Sequence, residues 1–202
     1  MLVTRNIAIP IGNRLKLLRA MRELNKQVYS ASSMDYNLFD ELPDSIFEDA
    51  IESLNVSMQR AMPKLRIGLG NVSGAKNQLI HAMLADVEKA HANKWSNQQA
   101  LQYANQRAAF RATQTLNKMQ ASHKEEIYTN NNILFFQWQS KEDDRVRARH
   151  AHLDGMVFTY AQPPIANLLT GERFLPGEDW GCRCIDIPII EEFQFMPIGN
   201  YK

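Results

Sequence analysis

Three absences narrow the reading of this chain: it has only two cysteines in 202 residues, no long apolar run, and a formal net charge of only +1. A membrane-spanning helix needs about 20 consecutive apolar residues, and no such stretch occurs. The opening MLVTRNIAIPIGNRLKLL is broken by Arg5, Pro10, Gly12 and Arg14, so it does not read as a secretory signal, and the protein is expected to be made and used in a cytoplasm. Cys182 and Cys184 are separated by a single residue and cannot easily close an unstrained disulfide, which leaves them as thiols or metal ligands. The chain lacks the basic excess with which a generic DNA binder neutralises phosphates. It also lacks a serine or cysteine nucleophile elbow, an H-E-x-x-H motif, a paired acidic metal motif, internal repeats and low-complexity tracts. The glycine-rich KLRIGLGNVSGA, with Gly68, Gly70 and Gly74, has neither a clear preceding strand nor the Gly-Lys-Ser/Thr ending of a phosphate loop.

What is present is a hydrophobic content of 45%, enough to bury a core in one domain or two small ones. Leu15, Leu18, Met21, Leu24 and Val28 recur at helical spacing over Asn13 to Val28. From Asp44, an N-cap candidate, Phe47, Ile51, Leu54, Met58 and Ala61 repeat the pattern until Pro63 stops it. A third helix is expected from Ala75 to Ala92, and a long fourth from Ser96, whose spacing to Gln99 forms a capping box. The fourth should run to about Glu126, with Asn130, Asn131 and Asn132 turning the chain. Strands are expected at Ile133 to Gln139, Met156 to Thr159 and in CRCIDIPII, with a short helix from near Lys141 closed by Gly155. The fold class is therefore α+β: a mainly helical region over 1–95, then a long helix with a small β-sheet packed on it over 96–202.

Charge is distributed unevenly. Residues 1–28 hold six bases (Arg5, Arg14, Lys16, Arg19, Arg22, Lys26) against Glu23 alone, whereas residues 35–52 hold seven acids and no base. Such segments can meet a partner's surface, or the basic helix can meet the chain's own acidic one. The bases between Arg60 and Lys124 leave a DNA-binding module open as a separate reading.

The densest chemistry lies in WQSKEDDRVRARHAHLDGMVF and PGEDWGCRCIDIP. The order Trp, D-x-R-V-R, H-x-x-L-[DN]-G and a proline-led C-R-C ahead of another proline resembles the C-terminal domain of the phage Mu F-like minor head (head morphogenesis) proteins. The resemblance covers roughly residues 100–190, and the matching positions are Trp138, Asp144, Arg145, Arg147, His150, Leu153, Gly155, Cys182, Arg183, Cys184 and Pro188. The chain departs from the family at Arg111, which is displaced relative to an A-R-T-E-T segment, and at Trp180 and Gly181, where many members carry a histidine. The resemblance implies a low-copy structural component of the virion, associated with the portal vertex and involved in capsid assembly, DNA packaging or DNA delivery. Its implied partners are the portal protein, other capsid components and phage DNA. A basic helix carrying Arg14, Lys16, Arg19, Arg22 and Lys26 would suit docking on portal subunits.

His150, His152, Cys182 and Cys184 are the residue types of a tetrahedral zinc site. On a helix His150 and His152 point about 200 degrees apart, so a site would use His150, Cys182, Cys184 and Asp144. The competing expectation is structural: Trp138, Asp144, Arg145, Arg147, His150, Gly155, Arg183 and Pro188 form a network in which a buried Asp144 holds Arg183 or Arg147. On a helix, Asp143 would also reach Arg147, and Glu142 would reach Arg145, as solvated pairs. An enzymatic reading, metal-dependent or acting on nucleic acid, would use the same Asp, Arg, His and Cys cluster. No recognised catalytic set completes it, so an enzyme is not expected.

Overall fold

A computed structural model describes residues 7–30 and 36–190; Arg5 and Asp35, counted in the charge runs above, lie outside the described residues. The elements are α1 (Ile11–Ser30), a 3-10 helix (Tyr36–Glu41), α2 (Ser45–Ala61), α3 (Val72–Ala92), α4 (Asn97–Asn130), β1 (Phe135–Gln139), α5 (Ala148–Leu153), β2 (Val157–Thr159) and β3 (Ile185–Ile189). The α+β class holds, with all three strands in the C-terminal half. Two compact units form. Of the described residues, one takes 7–8, Asn55–Leu69 and 120–190; the other takes 9–30, 36–54 and Gly70–Met119. Both α2 and α4 supply one part to either unit.

The helical unit is built on buried stripes. Leu17, Met21, Leu24 and Val28 face inward from α1, and Leu79, Met83 and Val87 from α3. Leu15 is exposed instead: both Leu15 and Leu17 fit a helical repeat, and packing selects the stripe containing Leu17. Small residues on α4, Ala100, Ala104, Ala108 and Ala112, are fully buried, which lets neighbouring backbones approach closely. The ends obey capping chemistry. Asn71 accepts a hydrogen bond from the Gly74 N–H at 3.2 Å, starting α3 earlier than Ala75. The Ser96–Gln99 capping box forms in both directions, at 2.9 Å and 3.3 Å.

In the α+β unit the C-terminal part of α4 and the sheet share one core. α4 runs on to Asn130, and Asn132, at φ 59°, reverses the chain. The Asn131 side chain accepts from the Arg66 N–H at 2.8 Å and donates to its carbonyl at 3.0 Å, tying down the glycine-rich link. The sheet is antiparallel in the order β2-β1-β3, with Phe136 opposite Phe158 and Pro188, and Trp138 opposite Asp186. Phe136 and Trp138 point to the buried face while Phe135, Gln137 and Gln139 alternate away. The sheet meets α4 through a buried ion pair, Lys124 to Asp186, and the Tyr160 hydroxyl donates to the same carboxylate at 2.8 Å. The rings of Tyr128 and Tyr160 pack 5.4 Å apart beside that pair. Burial, reinforced by the Asp186 charge, raises both phenol pKa values well above 10, so both stay neutral.

Candidate functional site

The stretch after β1 does not continue into a helix at Lys141. Glu142 adopts φ 56°, Asp143 accepts the Arg145 N–H at 3.1 Å in a local turn, and Arg147 is the extended N-cap residue of α5. The helical pairs Asp143–Arg147 and Glu142–Arg145 therefore have no scaffold. The H-x-x-L-D-G segment becomes legible as a set of distinct jobs. His150 and Leu153 are buried, Asp154 accepts the Ser140 N–H at 2.6 Å, and Gly155 turns at φ 73° so that its N–H reaches the Trp138 carbonyl at 2.8 Å. A side chain at position 155 would be strained by that φ whatever the space around it.

His150 then faces Cys182 and Cys184, which the long loop returns from the far side. Its Nδ1 lies 3.4 Å from the Cys182 sulfur and 3.6 Å from the Cys184 sulfur. One ligand atom from each of the three residues lies within 4.8 Å of the others, and all three residues are buried. Trp138 stacks edge-on against the imidazole, ring centroids 5.4 Å apart, and shields it from water. On the opposite ring nitrogen, Nε2 meets the Asp179 carboxylate at 3.1 Å. Asp179 is itself 4% exposed; it is held by the Arg147 guanidinium and accepts the Trp180 N–H at 2.6 Å. Arg147 also donates to the Trp180 carbonyl, so one guanidinium clamps the loop just before the cysteines.

The two sulfurs are not equivalent. Cys182 is lowered to about 4, first because Cys184 donates a hydrogen bond to it, with His150 and the N–H groups of Cys184 and Gly177 assisting against burial. Both N–H groups lie 3.4 Å from the sulfur. Cys184 is raised, because its proton is the one Cys182 holds and because burial disfavours a second anion. The two thiols are therefore shifted in opposite directions, Cys182 down and Cys184 up.

The expected residues separate accordingly. Trp138, Arg147, His150, Cys182 and Cys184 lie together. Asp144 does not; it is exposed, and its expected partners are taken by neighbours. Asp143 holds Arg183 through two hydrogen bonds of 2.5 Å, because the turn at Arg145 aims its carboxylate that way, and the Arg183 bonds push the Asp143 pKa well below the usual range. Arg145 is 80% exposed and reaches Asp143 only at 3.7 Å. His152 is exposed on the far side of α5 from His150. Pro188 lies in β3 opposite Phe136, away from the cluster. Asp179 was missed: it sits in a loop rich in proline and glycine, where no periodicity marks a residue, and the only signal was an acid three positions before a cysteine. On α1, Lys16, Arg19, Arg22 and Lys26 are exposed and Arg14 is half-buried. Lys16 pairs with Asp49 of α2 at 2.8 Å, so the basic helix meets the acidic one at that point. Arg111, the displaced arginine, is buried against Asp86.

Comparison with known proteins follows the same segment. The sequence matches the family described as Phage Mu protein F like protein over residues 72–187. An uncharacterized protein of Haemophilus influenzae is 29% identical over 120 residues, which is 59% of this chain but 23% of that protein's own length. No solved structure matches.

Proposed function

The chain belongs to the Phage Mu protein F like family, and from that we propose that it is a minor head protein of a phage or prophage, a structural component of the virion rather than an enzyme. In this reading it is present in low copy at the portal vertex, partners the portal protein and other capsid components, and acts in capsid assembly, DNA packaging or DNA delivery. The observation that carries the reading is the family match, which spans more than half of the chain and takes in the whole Trp138, Arg147, His150 and Cys182 constellation. The structure adds a physical reason why such a segment serves as a rigid body. Its long loop is tied down by Arg147 at Trp180, by Arg149 at the Ile165 carbonyl, 2.9 Å away, and by Arg183 at Asp143. No helix among the described residues is long and apolar enough to cross a membrane.

The docking part falls within residues 1–95, on α1, where Arg19 and Arg22 present an exposed basic surface. Charge complementarity of this kind speeds encounter and selects partners more than it adds affinity. Co-expression of the full-length chain with the portal protein of the same phage should give co-purification, and Arg19→Glu with Arg22→Glu should weaken it most at low salt. Equal retention of wild type and double variant would remove α1 as the docking surface. Failure of the wild type to co-purify would remove the portal assignment itself.

A further inference from the structure

We propose that His150 Nδ1, Cys182 Sγ and Cys184 Sγ form a zinc site, with Asp179 orienting the histidine and the fourth position left to water or a small anion. The inference concerns the cluster itself and does not depend on the virion role. Zinc bonds to sulfur at about 2.3 Å and to imidazole nitrogen at about 2.0–2.1 Å, so a tetrahedral angle places nitrogen and sulfur about 3.6 Å apart. The observed separations are 3.4 Å and 3.6 Å. Side chains from α5 and from the loop before β3 are thus already spaced as two edges of that tetrahedron.

Hydrogen bonding alone accounts poorly for the same geometry. A carboxylate only accepts, so Nε2 carries the hydrogen that faces Asp179, and Nδ1 is the nitrogen that faces the sulfurs. That nitrogen has one in-plane direction for a proton or a lone pair, yet it stands at nearly equal distance from two sulfurs. A proton placed there can serve one sulfur; a divalent cation serves all three donors together. The surroundings are those of a metal-bound thiolate. The Gly177 and Cys184 N–H groups both point at the Cys182 sulfur, and the Asp179–His150 contact reproduces the carboxylate–histidine–metal relay that fixes the tautomer and raises ligand basicity. Two thiolates and one neutral imidazole suit a borderline-soft ion such as zinc better than calcium or magnesium. On binding, any proton still held by either thiol leaves to solvent, and two thiolates with one Zn²⁺ make a neutral centre. Beside the donors lies a cleft of about 10 Å³, bordered by Arg145, Arg147 and Arg183, with room for roughly one water.

Elemental analysis of the full-length, untagged protein purified under reducing conditions should give about one zinc per chain, lost when both cysteines are changed to serine. Metal-stripped wild type should take up Co²⁺ with sulfur-to-cobalt charge-transfer absorption, a readout that does not depend on the variant folding. Wild type that is folded by circular dichroism, holds no zinc and takes up no Co²⁺ would overturn the inference. Full zinc retention in the double serine variant, or Co²⁺ uptake without thiolate absorption, would overturn these ligands.

Discussion

Two buried aspartates, Asp86 in the helical unit and Asp179 in the α+β unit, are each 4% exposed and each face an arginine, yet they lead to different chemistry. Asp86 on α3 accepts from Arg111 at 2.8 Å and 2.6 Å and has Arg107 at 3.2 Å. Every partner there is a guanidinium, which has no lone pair to offer, so the network ends in charge balance and orders two helices. Asp179 spends one contact on Arg147 and another on an imidazole, and the imidazole has a second nitrogen. The carboxylate's orientation is relayed to an atom facing two sulfurs. A buried acid can orient a donor atom when its partner has a second polar atom to pass the polarity on, and only balances charge when it has none.

The sharpest break in that comparison is Asp86→Ala. Removing it strands two cations, one of them buried, and should cost about 3–5 kcal/mol in urea unfolding while zinc content per folded chain stays the same. Asp179→Asn should do the reverse. Metal affinity, measured by competition with a chelator, should fall about 10–100-fold, because the amide no longer enforces the tautomer. Equal metal affinity in that variant would reduce Asp179 to a loop anchor. Gly155→Ala forces a side chain into φ 73° and should cost about 1–2 kcal/mol of stability. Its thermal unfolding should recover when position 155 is made asparagine, which tolerates that region.

The smallest effect contrasts the two buried histidines. His123 meets only the neutral Asn55 Oδ1, at 2.7 Å, and burial lowers its pKa below the ordinary 6.5, with Glu126 opposing. The unfolded chain therefore binds this proton first as pH falls. The stability that His123 contributes is complete above pH 6.5 and declines below it, until the folded pKa is reached. Urea unfolding at about pH 7.5 and about pH 5.5 should show that decline, and His123→Gln should flatten it. Glu125, raised by burial, acts with the opposite sign as pH climbs through its unfolded range, so the variant, and not the raw slope, is the test.

Most of the fold could be read from periodicity, because four amphipathic helices and three strands announce themselves in local patterns. The cluster was half legible. Trp138, Arg147, His150, Cys182 and Cys184 stood out by type and order, while the partners were misassigned wherever a loop decided them. Asp143 rather than Asp144 captures Arg183 because of a two-residue turn, and Asp179 rather than an upstream acid captures Arg147 because the loop returns there. Lys124 and Asp186 join residues 62 positions apart, and nothing near either in sequence signals the other. Long-range polar pairing has no period to read.

Pro188 also bears on how copies of the protein meet. The Trp138 N–H bonds to the Met156 carbonyl on the β2 side, so alternate residues of β1 turn toward β3, and Pro188, opposite Phe136, directs its nitrogen to the margin of the sheet that no other described strand covers. With no hydrogen to donate there, and with only three residues in β2 at the other margin, neither side offers a continuous ladder to a neighbouring chain. Strand-to-strand stacking of copies through the described margins of this sheet is thereby disfavoured.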